Sequence, residues 1–190
     1  MKLRLAAVMA CVALTAACTP HPTSGQLQQS VMSPVTIPAA ATCHEMNGKA
    51  DTHCSPGLFA HSPEVTADAP RYKHTLCQPD GVKPRWIASR RPPKSVTDRW
   101  KREVMAAYGM SGQPLSSVEG DHIGSLELDG DPGYARGPAG LPVNFYPELW
   151  NGPTGAHTKD HEEDALHSKV CSGALTLDQA QHQLIADWVK

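Results

Sequence analysis

Two neighbouring segments of opposite charge are the first candidates for chemistry. Residues 83–102 hold eight Lys or Arg residues and one acid, whereas residues 119–131 hold five acids, His122 and no Lys or Arg. A strip of cations can hold a polyanion, and carboxylates beside a histidine can hold a metal ion. The two segments together suit a metal-dependent phosphodiesterase. Taken alone, the same counts also fit solvated surface charge without any function.

The acidic segment contains an Asp-His pair, and an asparagine follows further along the chain. Asp121 and His122 stand before a Gly turn, and Asn144 opens an Asn-apolar-x-Pro segment ahead of a predicted helix. This arrangement resembles the ββα-metal, or HNH, nuclease motif. The resemblance implies that His122 is the general base, that Asp121 binds a metal ion, and that Asn144 orients the His122 ring by hydrogen bonding. A neutral imidazole suits a base because its pKa lies near working pH, and a cation neutralises developing charge.

The resemblance extends along most of the chain, over about residues 54 to 189. The sequence is similar to a family of small exported bacterial proteins of mostly unknown role that carry an HNH-like core. The landmarks agree in order and spacing, and they are Ser55-Pro56-Gly57, Val65-Thr66, Thr75-Leu76-Cys77, Arg91-Pro92-Pro93, Tyr108-Gly109, Asp121-His122, Leu126-Glu127-Leu128, Asn144-Phe145-Tyr146-Pro147-Glu148, Lys159-Asp160, Glu163, Leu166, Val170-Cys171-Ser172-Gly173, and Ala180-Gln181 to Asp187-Trp188.

One ligand of the motif is missing. Nucleases of this type usually place a His or Asn three residues before the helix lysine, but here Ala156 precedes Lys159 at that offset. The third ligand must then come from elsewhere on the predicted helix, and the candidates are His157, Asp160, His161, Glu163 and His167. Asp160, Glu163 and His167 share one helical face at i, i+3 and i+7 and are the expected ligands of a divalent cation, Mg, Mn, Ni or Zn. Lys159 itself is either a solvated helix residue or a phosphate contact.

Three helices and two strands are needed to position these residues. Sequence patterns predict one helix from Ser95 or Thr97 to about Tyr108, a second over 158–170, and a third that starts at Thr176, where Thr176 and Gln179 form a capping box. Residues 43–95 are rich in Pro and Gly, which predicts short strands and loops. The expected fold is α+β: one small disulfide-stapled domain over 43–190, with a ββα-metal core and additional helices.

Residues 1–17 have the pattern of a secretory signal peptide. Lys2 and Arg4 precede an uncharged apolar run that is too short to span a bilayer. The small residues 15–17 before Cys18 resemble a lipobox, which implies that Cys18 carries a lipid. Residues 18–42 are rich in Pro, Thr, Ser, Gln and Ala, which predicts a flexible tether. We therefore expect a lipid-anchored protein of the cell envelope that faces the periplasm or exterior; the alternative is a soluble periplasmic or secreted protein.

The cysteine count agrees with a lipid on Cys18. Cys11 leaves with the signal peptide and Cys18 takes the lipid, so an even set remains: Cys43, Cys54, Cys77 and Cys171. An even set in an oxidising compartment predicts two disulfides with three possible connectivities, whereas a zinc site lacks any CxxC spacing. The preferred pairing joins the first two cysteines and the last two, so that the second bond links the start of the domain to its end.

Two functions fit these observations. Without Lys2 and Arg4 the chain has 15 basic and 19 acidic residues, a net charge of −4 that excludes a globally basic nucleic-acid binder. No Ser-His-Asp elbow, P-loop, Rossmann glycine pattern or zinc-protease motif is present. We expect an envelope lipoprotein that is a divalent-metal-dependent endonuclease acting on nucleic acid. The alternative is a non-catalytic envelope lipoprotein that binds a protein or polyanion partner, because a fold can persist after a ligand is lost.

Overall fold

The structure is a computed structural model that describes residues 43–79, 81–82 and 85–187. Its helices and strands, in chain order, are α1 (Pro63–Asp68), α2 (Trp86–Arg90), α3 (Lys94–Ala107), β1 (Val118–Asp121), β2 (Tyr146–Leu149), α4 (Ala156–Ser172) and α5 (Leu177–Asp187). Short 3-10 helices cover Leu115–Ser117 and Leu126–Leu128. The predicted mixture of helices and strands is confirmed in this part of the chain. The predicted signal peptide, Cys18 and the tether lie outside the described residues.

The three long helices form close to where the sequence patterns place them. α3 begins at Lys94, directly after Pro93, so Ser95 and Thr97 lie inside the helix and the prediction that one of them caps it is wrong. The helix ends two residues before Gly109, whose φ of +69° suits glycine. α4 is two residues longer at each end than predicted. The capping box of α5 is confirmed: the amide of Gln179 donates to Thr176 Oγ1 at 3.2 Å, and the amide of Thr176 donates to Gln179 Oε1 at 2.9 Å.

The expectation of short strands over residues 43–95 is wrong. The described part of this segment contains the two short helices α1 and α2, and its only strand-like pairings are isolated bridges, Met46 with Lys49 and Phe59 with Gly130. Pro63 opens α1, because the fixed φ of proline suits the first helical turn, where the missing N–H has no partner to lose. A Pro-rich segment is therefore as compatible with the first turns of short helices as with strands and loops.

β1 and β2 form a two-stranded antiparallel sheet. Val118 pairs with Leu149 and Asp121 with Tyr146, so alternate residues of each strand share a face. α3 packs against both strands. At Gly120 of β1 a Cβ would collide with the Phe145 ring and would lie 3.2 Å from the Cβ of Lys101 on α3.

Two apolar clusters hold the helices to this sheet. The first lies under α3 and contains Trp100, Val104 and Phe145, with the Trp100 and Phe145 rings edge to face at 5.6 Å. The second joins α4, α5 and the 3-10 helix at 126–128, and its buried members are Leu128, Leu166, Val170, Ala180 and Leu184. The second cluster fixes α4 against the segment that follows β1.

Two disulfides close the described domain, and they have the preferred pairing. Cys43 bonds to Cys54, and Cys77 bonds to Cys171 across a sequence separation of 94 residues. The second bond ties the end of α4 to the segment ahead of α2. None of the helices within the described ranges has the length and apolar character that crossing a bilayer requires.

Candidate functional site

His122 directly follows β1 and is held as a neutral imidazole. Its ring is 7% exposed and packs edge to face on Phe145 at 5.3 Å. Nε2 lies 3.2 Å from the carbonyl oxygen of Pro132. Because a carbonyl oxygen only accepts, Nε2 carries the proton and Nδ1 keeps the lone pair. Burial lowers the pKa of His122 despite the neighbouring Asp121, so the neutral ring dominates at neutral pH.

Asn144 organises the backbone around His122, and its side-chain hydrogen bonds go to backbone groups and not to the His122 ring, which is the partner that the motif implies. Its side chain is fully buried and makes four hydrogen bonds. Oδ1 accepts from the amides of Gly124 at 2.7 Å and Leu58 at 3.2 Å, and Nδ2 donates to the carbonyls of Gly124 at 2.9 Å and Asp131 at 2.7 Å. Asp131 precedes Pro132, whose carbonyl holds His122. Asn144 therefore positions the histidine through one intervening residue.

Lys159 of α4 lies at the centre of the site. Its side chain is 1% exposed, and Nζ is 2.7 Å from Asp121 Oδ2 and 2.8 Å from the carbonyl oxygen of His122. Glu163, one helical turn further along α4, contacts the same ammonium through Oε1 and accepts from Ser125 Oγ at 2.8 Å through Oε2. Burial alone would lower the pKa of Lys159, but Asp121 and Glu163 raise it above its ordinary value. The ammonium is therefore permanently charged.

A third carboxyl group, Glu148 of β2, is buried next to Asp121. The register places Glu148 opposite Glu119 and on the same face of the sheet as Asp121. Burial, and then the charge of Asp121, raises the pKa of Glu148 to about 9. The hydroxyl of Tyr146 lies beside Glu148 but donates to the carbonyl oxygen of Gly48 at 3.0 Å, so neither oxygen of an ionised Glu148 would accept a hydrogen bond from a described residue in this geometry. A protonated Glu148 can donate to Asp121, so the neutral acid is the form that satisfies this pair.

Asp121 and His122 lie where two clefts meet. The acidic cleft has one cationic side chain, Arg91, and six carboxyl groups, which belong to Glu119, Asp121, Glu127, Asp160, Glu163 and Asp164. Burial, and then the charge of Asp121, raises the pKa of Glu119 to about 7. At neutral pH, Glu119 is therefore close to half protonated.

The second cleft, called the basic groove here after its Lys and Arg residues, runs along the start of α3. Its lining includes Arg91, Lys94, Lys101 and Trp150, together with the acids Asp98, Glu119 and Asp121. Lys94 is ion-paired to Asp98 at 2.7 Å, and Lys101 donates to the carbonyl of Leu115 at 2.5 Å. The guanidinium of Arg91 makes no ion pair or hydrogen bond with any described residue. Arg91 and His122 both line the two clefts, so a free cation lies beside the neutral histidine.

The structure brings some of the predicted ligands together and separates others. Asp121 and Glu163 meet at Lys159, and Asp160 is exposed at the edge of the acidic cleft. His167 does not line that cleft. Its Nε2 lies 2.9 Å from the carbonyl oxygen of Leu76 and 3.4 Å from Cys171 Sγ, so the ring packs at a disulfide. Seven residues along a helix amount to about 10 Å, which carries His167 past the cleft.

A divalent cation does not fit between the predicted ligands as they are arranged. Within residues 43–79, 81–82 and 85–187, the only three His, Cys, Asp or Glu ligand atoms within 4.8 Å of one another belong to Cys77, His167 and Cys171. The two sulfurs of that group form a disulfide and offer no thiolate. Asp121 and Glu163 are bridged by an ammonium instead. The expected divalent cation stays a prediction from the motif.

Sequence reasoning missed the parts that Lys159 and Glu148 play in this site. A signal for Lys159 was present, because Lys159 and Glu163 are spaced i, i+4 and can pair on one helical face. Glu148 follows the apolar Phe145-Tyr146-Pro147 run, and no local pattern marks it as buried beside Asp121. Its position depends on the pairing of β2 with β1.

Comparison of the chain with protein-family models, with curated proteins and with solved structures finds no match. The resemblance to exported HNH-like proteins therefore stays a prediction from the residues quoted for it.

Proposed function

We propose that this chain is a phosphodiester hydrolase with an HNH-like core in which His122 is the general base. The order of elements supports the proposal, since β1, β2 and α4 follow one another, with His122 directly after β1 and Asn144 just before β2. The observation that carries it is the state of His122: a neutral ring beside a free arginine, with Nε2–H bound to Pro132 and the lone pair on Nδ1.

The reaction needs a base, an acid and a site for the phosphate. Nδ1 of His122 takes a proton from water, and the hydroxide oxygen forms a bond to phosphorus as the bond to the leaving oxygen breaks. Glu119 lines both clefts with His122, and its pKa of about 7 suits the acid that returns a proton to the leaving oxygen. Arg91 is placed to bind the phosphate oxygens, because a guanidinium matches their geometry.

The basic groove supports nucleic acid as the substrate. Arg91 and Lys94 supply cations along one wall, and Trp150 supplies an aromatic surface. Phosphate contacts from cations and base contacts from aromatic rings are the usual means of binding a nucleic-acid strand. Asp98, Glu119 and Asp121 line the same groove, so phosphate binding there would depend mainly on Arg91, whose guanidinium has no ion pair or hydrogen bond with a described residue.

We place the protein at the cell envelope, anchored by a lipid on Cys18. The signal-like segment at 1–17 supports this location, and so do the two disulfides, since disulfides persist in oxidising compartments. Labelling of the expressed protein with a radioactive fatty acid tests the anchor. The label should enter the wild type and be absent from Cys18→Ser; equal labelling of the two would contradict lipidation at this residue.

A nuclease assay tests the catalytic proposal. Plasmid and single-stranded DNA are incubated with the purified chain in Mg, Mn, Ni or Zn and, separately, in EDTA. The wild type should hydrolyse DNA in at least one condition, and His122→Ala should lose the activity. The matched control is His161→Ala, because His161 is exposed on α4 and lines neither cleft. A wild type that is inactive in every condition would rule out the catalytic role.

One observation favours a second function, a non-catalytic envelope lipoprotein that binds a polyanion. Lys159 neutralises Asp121 and Glu163, two of the three carboxylates expected to hold a metal ion. Fluorescence anisotropy with a labelled oligonucleotide separates the two functions. Binding that is weakened by Arg91→Ala, without hydrolysis in any metal or in EDTA, would establish the binding function in place of the catalytic one.

A further inference from the structure

We propose that the ammonium of Lys159 takes the place of the divalent cation that the motif leads us to expect between Asp121 and α4, so that this position carries its positive charge within the chain. The inference rests on the proposed HNH-like arrangement, because that arrangement defines where the cation would lie. Lys159 is then a positioning residue, since its buried ammonium holds the groups next to His122 and does not reach a substrate.

The ammonium has the surroundings of a coordinated cation. One oxygen comes from Asp121 at the end of β1, a second from the carbonyl of His122, and a third from Glu163 on α4. Carboxylate and carbonyl oxygens are the ligands that Mg²⁺ and Mn²⁺ take in proteins. The same two chain segments that would surround a metal ion, the end of β1 and α4, therefore surround Nζ.

The ammonium fills the position that a metal ion would take between Asp121 and Glu163. Lys159 is 1% exposed, so a hydrated ion could approach these two carboxylates only from the acidic cleft, which both of them line. Two carboxylates, Asp121 and Glu163, touch Nζ. A divalent ion placed beside the ammonium would bring three positive charges to these two groups at short distance, and the repulsion opposes binding.

The arrangement also explains how the site stays ordered without a metal ion. Lys159 binds the backbone carbonyl of His122 and the side chain of Asp121, so it fixes both members of the Asp-His pair. Glu163 is held in turn by the Ser125 hydroxyl. A metal ion in this place would supply the same links from α4 to the end of β1.

Metal binding by the wild type gives the first test. Mn²⁺ or Mg²⁺ is added to the purified chain up to millimolar concentration. Binding is measured by calorimetry and by the shift in Tm, and Asp121→Asn is measured in parallel. The inference predicts no binding that depends on Asp121. One Mn²⁺ per chain, bound by the wild type and lost in Asp121→Asn, would overturn it. This test does not need any Lys159 variant to fold.

Two matched variants give the second test. Lys159→Ala removes the ammonium and leaves space, whereas Lys159→Met removes the charge but fills the space. Both should lower Tm by about 10 °C, since each leaves buried carboxylates unpaired. Millimolar Mn²⁺ should restore much of the loss in Lys159→Ala and none in Lys159→Met. Equal responses of the two variants to Mn²⁺ would overturn the inference.

The two proposals fail in distinguishable ways. The tests of Lys159 measure metal binding and Tm, whereas the test of His122 measures hydrolysis. A protein that passes the metal tests but cleaves no DNA would contradict the catalytic function alone. A wild type that cleaves DNA and binds Mn²⁺ through Asp121 would contradict the role of Lys159 alone.

Discussion

Replacement of Glu148 by Gln is expected to remove a large part of the pH dependence of stability near neutral pH. Glu148 is 2% exposed, and burial beside Asp121 raises its pKa from 4.5 to about 9. Between these two values the folded chain holds a proton on Glu148 that the unfolded chain has released. The free energy of unfolding therefore falls as pH rises through this window. Gln has the shape of the protonated acid and does not titrate, so the variant lacks this contribution.

The size of the effect follows from one proton. Such a group contributes a slope of about 1.4 kcal/mol per pH unit wherever only the folded state is protonated. Both pH 6 and pH 8 lie inside the window set by 4.5 and about 9, so the wild type should lose about 3 kcal/mol through Glu148 over this range. Glu119, with a pKa of about 7, adds to the loss in both proteins, mainly below that value.

Denaturant unfolding, followed by tryptophan fluorescence at pH 6, 7 and 8 with the disulfides intact, measures the effect. The difference in unfolding free energy between Glu148→Gln and the wild type should grow by about 3 kcal/mol from pH 6 to pH 8, in favour of the variant. Glu64→Gln is the matched control, because Glu64 is exposed on α1 and lines neither cleft. Parallel pH profiles for Glu148→Gln and the wild type would refute the argument that Glu148 is a neutral acid in the fold.

Three further changes test other parts of the structure. Asn144→Ala should lower the unfolding free energy by about 3 kcal/mol or more, because four backbone groups, two in buried and two in partly buried hydrogen bonds, lose their partner. A loss similar to that of a surface substitution would contradict the organising role of Asn144. Replacement of both Cys77 and Cys171 by Ser should cost about 4 to 5 kcal/mol in the chain-entropy estimate for a 94-residue separation, and unfolding under non-reducing conditions would show it; a loss below about 1 kcal/mol would contradict that estimate. Arg91→Ala should raise KM for an oligonucleotide about tenfold, which corresponds to the loss of about 1.4 kcal/mol of binding, with little change in kcat. Arg99→Ala, on α3, is the control and should leave KM unchanged. A KM of Arg91→Ala equal to that of the wild type would show that Arg91 does not bind the phosphate.

Features that depend on neighbours in the sequence were predictable. The capping pair Thr176 and Gln179 locates the start of α5, and Gly109 follows the end of α3, because both signals act within one helical turn. The disulfide pairing was also predictable, since few connectivities exist for four cysteines. Residues 43–95 were harder, because Pro and Gly mark interruptions without saying whether a helix or a strand follows.

Features that depend on distant pairing were not predictable. His167 was grouped with Asp160 and Glu163 by helical spacing. In the fold, however, His167 lies beside the Cys77–Cys171 disulfide, and no local pattern near His167 indicates that Cys77 packs against this part of α4. Lys159 was treated as a surface or phosphate-binding residue, because nothing near it in the sequence indicates that Asp121, at the end of β1, forms an ion pair with its ammonium. A helix pattern identifies which residues share a face, but it does not identify what the face packs against.

DNA hydrolysis by the wild type and by His122→Ala is the decisive test of His122 as the general base. The two proteins are compared at equal concentration across divalent metals and in EDTA, with Tm measured to confirm that the variant is folded. We expect cleavage by the wild type and by His161→Ala, and none by His122→Ala. Equal cleavage by the wild type and a folded His122→Ala, or no cleavage by the wild type in any condition, would contradict it.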